Sequence, residues 1–411
     1  MEPDCQIGQR IAHFRRRRGI SQLVLAGRLG RSESWMSKIE RGERPLDRLS
    51  VIEEVAHVLD VHPSALVAWR ESPAAPPYDR DGHLRRDGFQ VREVDGIRAA
   101  LTRYDGIAAA PGTQEPAVPD LSHGLERLWG AFQSSRYSLV AADLPELLPA
   151  ARLAARTLDG DQHLAALDLL ATTYQVGAAT LLKLGAPELA WLAADRGLHA
   201  ADESGNRLTL AGCARVLAHA LMDSGHHERA VELVATIAGP LETAAGRGDP
   251  ELLSVYGSLL LKGVMASARL GDRAAARDLL ADAARAADRL GRDANHRWTA
   301  FGPANVALHR ASSAVALGDG GDAVAHALGV DPSKLMAVER RAQRLIELAG
   351  GYGLWAKDGD ALEALLEAER LAPEEVRAQP AARLLVGDLL RRQRRRGTGE
   401  LRALADRISA L

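Results

Sequence analysis

The chain has 411 residues, a formal charge of −2, 46% apolar residues and only 4% aromatics. That is too long for one ordinary core, apolar enough to bury a large one, and too evenly charged for the total to signal a nucleic-acid coat. Two cysteines give no disulfide framework or zinc site, and no apolar run reaches the roughly 18 residues needed to span a bilayer, so a soluble cytoplasmic protein without a leader is expected.

Arginine outnumbers lysine 47 to 5, but the arginines are spread along the chain and balanced by acids, so they carry no message about DNA. Locally, residues 1–70 hold 12 basic against 9 acidic side chains, which makes this head mildly basic. Abundant Ala and Leu with few aromatics favour helices packed through small residues.

The first predicted elements lie between residues 6 and 70. An upstream helix carries Ile7, Ile11 and Phe14. Ser21 is placed to cap a short helix, Gly30 to take the positive φ of a tight turn, and Ser32 to cap a second helix. Leu25, Leu29, Met36 and Ile39 face inward at helical spacing, with Ala26 small at the crossing; Gly42 and Pro45 end the second helix. A downstream helix pair carries Val51, Ile52, Val55, Ala56, Leu59, Val61 and Leu66.

At these residues the sequence resembles the Cro/repressor-type helix-turn-helix (XRE) family, over about residues 7–67. The resemblance implies a five-helix DNA-binding domain whose second short helix lies in the major groove of double-stranded DNA. Ser32, Glu33, Ser34 and Lys38 are then the candidates for base edges. Lys38 would donate to guanine, and Glu33 would accept from cytosine. Gln22 matches the family's backbone-contacting glutamine, and Arg15, Arg41 and Arg44 are expected at phosphates. Trp35 is larger than usual at its place, and sugar-phosphate packing, a thymine methyl and a core cover all remain open for it. The run Arg15–Arg18 is either a phosphate approach or a solvated helix end. Such heads normally pair, so a homodimer on an inverted repeat is expected.

Residues 71–120 are rich in Pro, Gly, Ala and Asp, as in Pro73–Pro77 and Pro111-Gly112. They are expected to form a linker with one short helix at about 92–104.

Residues 121–411 are predicted helical nearly throughout. A Gly is followed five residues later by Ala at Gly185/Ala190, Gly225/Ala230, Gly271/Ala276 and Gly318/Ala323, and a fifth unit has Ala361 with Ala356 where Gly would stand. Successive alanines are 40, 46, 47 and 38 residues apart. Each Gly would turn the chain between paired helices and each Ala would let two axes approach. The pattern resembles tetratricopeptide repeats over about 160–375, with a longer period than usual. The fold class is therefore all-α: a helix-turn-helix domain followed by a superhelical array with one concave face.

The richest polar stretch is Asn295–Arg310. Pro303 is expected inside a helix, where it would kink it. Asn305 and His309 are four apart on one face, with Trp298 about two turns upstream; these, with Arg136 and Tyr137, are the candidate ligand-binding residues. Packing and inter-helix hydrogen bonding are the alternative for all of them. The segment Trp129–Val140 and the Gly302–Val306 segment resemble actinobacterial regulators that join this head to tetratricopeptide-like repeats. The layout also resembles peptide-sensing quorum regulators, in which inner-helix asparagines clamp a peptide backbone; Asn206 and Asn295 look like helix caps instead. The run Arg391–Arg396 suits a helix C-terminus, with DNA or partner contact as the alternative. No phosphate loop, nucleophile motif, metal cluster or cofactor site is legible. The expectation is a transcription regulator controlled by a peptide or small signalling molecule, with an interaction scaffold carrying an ancillary head as the alternative.

Overall fold

The computed structural model describes residues 3–17, 21–44, 46, 49–59, 66, 91–103, 117–245, 248–392 and 399–408. Pro45, Val61, Arg18, the Pro73–Pro77 and Pro111-Gly112 runs and Arg394–Arg396, on which expectations were placed, lie outside the described residues. Among the described residues there are helices and a single isolated bridge, between Ala294 and Phe301.

The head comprises α1 (Pro3–Arg17), α2 (Gln22–Arg28), α3 (Glu33–Glu40) and α4 (Leu49–Val58). Its core is the one expected from periodicity: Ile11, Leu25, Ala26, Met36, Ile39, Val55, Ala56, Leu59 and Leu66 are all buried. Ser21 and Ser32 cap α2 and α3 through their hydroxyl oxygens, which accept from Val24 N and Trp35 N at 3.2 Å each. Gly30 takes φ +62° between them.

The short helix expected in the linker is α5 (Val91–Thr102), and it is no spacer. Val94, Ile97, Ala100 and Leu101 are buried in the array's own core. Arg152 and Arg196 donate to the carbonyls of Ala100 and Leu101 at 2.8 and 2.6 Å, so two cations cover the C-terminal carbonyls that the helix leaves open.

The array is a series of helical hairpins. They pair α6 (Val118–Gln133) with α7 (Tyr137–Thr157), α8 (Gly160–Lys183) with α9 (Pro187–Glu203), and α10 (Arg207–Asp223) with α11 (His227–Ala245). Next come α12 (Pro250–Leu270) with α13 (Arg273–Leu290), α14 (Pro303–Ala316) with α15 (Gly320–Gly329), and α16 (Val338–Leu354) with α17 (Asp358–Leu371). Helices α18 (Pro373–Ala378), α19 (Pro380–Arg392) and α20 (Gly399–Ile408) follow. Gly185, Gly225, Gly271 and Gly318 all have φ between +70° and +81°, and Ala190, Ala230, Ala276 and Ala323 are buried, as the spacing required.

Two further hairpin turns use the same left-handed residue without a glycine: Ser135 at φ +57° and Ala356 at φ +58°. For an L-residue that conformation costs roughly 1–2 kcal/mol. Ala356 is exposed, so its methyl group buries little. Ala356→Gly is therefore expected to stabilise the array by about 1 kcal/mol, less some unfolded-state entropy, read as a higher urea midpoint with unchanged slope.

Between α13 and α14 the repeat is interrupted by residues 291–302. Arg297, Trp298 and Ala300 all adopt left-handed φ, from +47° to +56°. The loop is held by Phe301, fully buried against Gly257, where an added Cβ would lie 2.0 Å from the ring. Pro303 is not within a helix, as expected from sequence, but opens α14 at its first turn, where a missing amide hydrogen is harmless.

The interruption carries Asn295 and Trp298 across the concave side to the first hairpin. Asn295 exchanges two amide hydrogen bonds with Gln133, at 2.8 and 2.9 Å, and is not a cap. Trp298 stacks on Trp129 with ring centroids 5.5 Å apart and planes 8° from parallel. Further on, Glu374 accepts from Ser138 N and Oγ at the start of α7, at 2.9 and 2.7 Å. Glu375, fully buried, accepts from Tyr137 Oη and from Lys183 Nζ at 2.6 Å. The superhelix thus closes on itself, and its concave face becomes a cavity with one side open to water.

Candidate functional site

In the head, α3 is braced from behind and open in front. Glu40, in its last turn, is buried. Its carboxylate accepts from Arg15 Nε and Nη2 at 2.5 and 2.8 Å and from Gln22 Nε2 at 2.7 Å. A carboxylate at a helix C-terminus opposes the helix dipole, so these bonds must outweigh that cost. They tie α1 and α2 to α3. Arg15 was expected at a phosphate and is instead mostly buried in this pair, while Gln22 gives one amide N–H to the same carboxylate and keeps the other. Glu40 itself was missed; its one sequence signal is an acid where the dipole favours a base.

The front edge is exposed at Ser32, Glu33, Ser34 and Lys38. Ser34 and Lys38 are four apart and share one side of α3. Glu33 lies in the first turn, where the dipole favours it without any base contact. Trp35 is half-buried against the core, and the Arg31 guanidinium lies 5.6 Å from its ring centroid, so it covers the core and carries a cation at once. Arg41 pairs loosely with Glu43 at 3.0 Å, both well exposed, and Arg44 is exposed. Behind this edge, Arg16 reaches the Leu317 carbonyl of the array at 3.4 Å.

The array holds a cavity of about 290 Å³. Every inner helix contributes to its wall: Trp129 and Gln133 from α6, Lys183 from α8, Arg215 and His219 from α10, Lys262 and Arg269 from α12, His309 and Ser312 from α14, and Glu339, Arg340 and Glu347 from α16. Trp298 adds an indole, and exposed Arg269, Ala316 and Ala381 mark the side open to water.

The expected ligand residues separate. Trp298 and His309 line the cavity. Asn305 lies one turn before His309, is buried, and leaves its Oδ1 without a partner among the described residues, but is not part of the wall. Arg136 is exposed at a hairpin turn away from the cavity. Tyr137 is fully buried and braces Glu375, which with Glu339 and burial pushes its phenol well above the usual range, burial being the largest cause. Asn206 caps α10, as expected.

Burial, followed by repulsion from Arg340 and Lys262, pushes His309 down to about 3. The ring is therefore neutral near pH 7. Its Nδ1 lies 2.9 Å from the Asn305 carbonyl, which can only accept, so Nδ1 carries the hydrogen and Nε2 is left an acceptor. Lys183 remains charged: burial would lower it, but Glu375 and Glu339 hold it raised.

Comparison with known proteins finds a family model described as a helix-turn-helix domain over residues 6–69. An immunity repressor protein of Bacillus phage phi105 is 30% identical over 124 residues, which is 30% of this chain and 83% of the repressor. Two solved structures bear a loose likeness. BtubC from P. vanneervenii has a TM-score of 0.39 and 19% identity, over 60% of this chain and 90% of that one. Bacillus thuringiensis PlcR, solved with the peptide PapR7 and DNA, has a TM-score of 0.37 and 12% identity, over 89% of this chain and 99% of that one. Among the described residues, no helix is long and apolar enough to cross a membrane.

Proposed function

The chain belongs to the Cro/repressor-type helix-turn-helix family, and from that premise we propose that it is a sequence-specific DNA-binding transcription regulator whose activity is set by a ligand in the array cavity. The observation that carries the DNA half is the exposed edge Ser32–Lys38 on a helix locked to its neighbours by Glu40. A rigid, open, polar edge on a short capped helix is what entry into the major groove requires.

Ser34 and Lys38 are assigned to base edges, Ser32 and Glu33 to the mouth of the groove, Gln22, Arg41 and Arg44 to the backbone, and Trp35 to the sugar-phosphate wall. Arg15 acts through Glu40 instead. One head of this size makes few contacts, so two copies on an inverted repeat are proposed, in the cytoplasm on the nucleoid. Ligand control rests on the cavity, whose wall takes side chains from every hairpin and so senses their mutual placement. No catalytic step is assigned to it.

Replacing Ser34 or Lys38 by alanine is expected to weaken operator binding by about 1–3 kcal/mol per lost base contact, with fold and array stability unchanged. Titration of a selected DNA site, together with the same site mutated base by base, checks it. Equal affinity of wild type and both variants would displace α3 as the reading helix. Sedimentation with and without the site tests the pairing.

A further inference from the structure

Five cationic side chains, Lys183, Arg215, Lys262, Arg269 and Arg340, meet only two carboxylates, Glu339 and Glu347, on the cavity wall. Glu339 is already shared by Lys183 at 3.4 Å and Arg340 at 3.5 Å, and Glu347 accepts from Ser312 and Gln343. Lys183 is satisfied by Glu375. Arg269 pairs with Asp223 at 3.1 Å, which leaves Arg215 and Lys262. Arg215 is only 8% exposed and makes no hydrogen bond or ion pair among the described residues, with its Nε sealed from water. Lys262 likewise has no hydrogen-bonding or ion-pair partner among the described residues, although Glu339 attracts it at longer range.

Glu339 attracts Arg215 too, but from beyond ion-pair distance, and a buried guanidinium without a paired, hydrogen-bonded counter-charge is costly to hold. Burial and the charge of Arg340 lower Arg215 to about 10, so it stays charged near neutral pH. Burial and two neighbouring guanidiniums push Lys262 well below its ordinary range. The sealed polar atoms of the wall that lack any partner among the described residues, Trp129 Nε1 and Arg215 Nε, are both donors. A ligand that completes this wall must bring acceptors and negative charge. The opposite chemistry is present too, in Trp129, Phe132, Trp298 and Met265. The volume sits at the low end of small-molecule sites and is too small for an extended peptide.

We propose that the cavity binds a small organic anion, a carboxylate or phosphate carried on a flat apolar body, with Arg215, Lys262 and Arg340 receiving the charged group. This names the ligand class for the site given a controlling role above, and rests on that role only for its effect on DNA. An anion would give Arg215 and Arg340 a shared counter-charge and favour the charged form of Lys262, drawing α10, α12 and α16 together.

The test uses the full chain and four probes: 1-naphthoate, 1-naphthyl phosphate, inorganic phosphate and neutral 1-naphthalenemethanol. One or both naphthyl anions are expected to raise the melting temperature by several degrees, and which one does so tells carboxylate from phosphate. The neutral alcohol should have no effect. Arg215→Met and Lys262→Met should each weaken the anion at least tenfold, yet Arg215→Met without ligand should melt no lower than wild type, because an unpaired charge has been removed. A lower melting temperature for ligand-free Arg215→Met together with an unimpaired Lys262→Met, or an equal response to the neutral alcohol, or no response to any anion, overturns the site. Inorganic phosphate acting as strongly as naphthyl phosphate overturns the apolar half. An anion that stabilises the protein but leaves affinity for its selected DNA unchanged supports the site and overturns ligand control instead.

Discussion

Replacing Glu375 by alanine should cost the array about 3–5 kcal/mol, the range for breaking a buried charge pair from one side. Glu375 is fully buried and accepts from Tyr137, Lys183 and Gln379, so its loss leaves a phenol and an ammonium in the interior with reduced partners. Glu339, at 3.4 Å from Lys183, recovers only part of this and is itself engaged with Arg340. Denaturant melts followed by circular dichroism read the effect. Glu375→Leu combined with Lys183→Met should lose much less than Glu375→Ala, since no charge is then stranded. If the single variant costs under about 1 kcal/mol, the ends of the array are held elsewhere.

Glu40→Ala should do comparable damage in the head, again about 3–5 kcal/mol. The carboxylate is the common acceptor for α1 and α2, and removing it takes away the partner of a mostly buried guanidinium. A domain this small holds only a few kcal/mol in reserve, so the head should be largely unfolded at 37 °C while the array melts as before. Loss of DNA binding should accompany loss of amide protection in α1–α3. Arg15→Ala separates two roles: a brace weakens DNA binding only as far as it unfolds the head, whereas a phosphate contact weakens it in a fully folded head and flattens the salt dependence.

Much of the framework was legible because it is written locally. Ser21, Gly30 and Ser32 punctuate the head, and Gly185, Gly225, Gly271 and Gly318 punctuate the array, each by a rule spanning four or five residues. The same rule placed Ala356 at a turn although it is not glycine, and it failed at Ser135, where no glycine or matching alanine marks the place. The pairings that shape the sites were not legible. Arg15 and Glu40 are 25 residues apart, Lys183 and Glu375 192, Gln133 and Asn295 162. No periodicity encodes partners at such separations. Trp298 could not be aligned with Asn305 and His309 because the left-handed turn at 297–300 puts it on a different element. One cue was available: of five lysines in an arginine-rich chain, Lys183 and Lys262 are found on the cavity wall.

Open solenoids tolerate the gain or loss of a repeat, because each unit touches only its neighbours. Here the seam between α7 and α18 makes the count of hairpins a constant. An added pair of helices would carry Glu375 past Tyr137 by a whole repeat, and a deleted pair would leave it short. Lineages descended from this ring can lengthen their loops freely, but must change hairpin number and seam together or not at all.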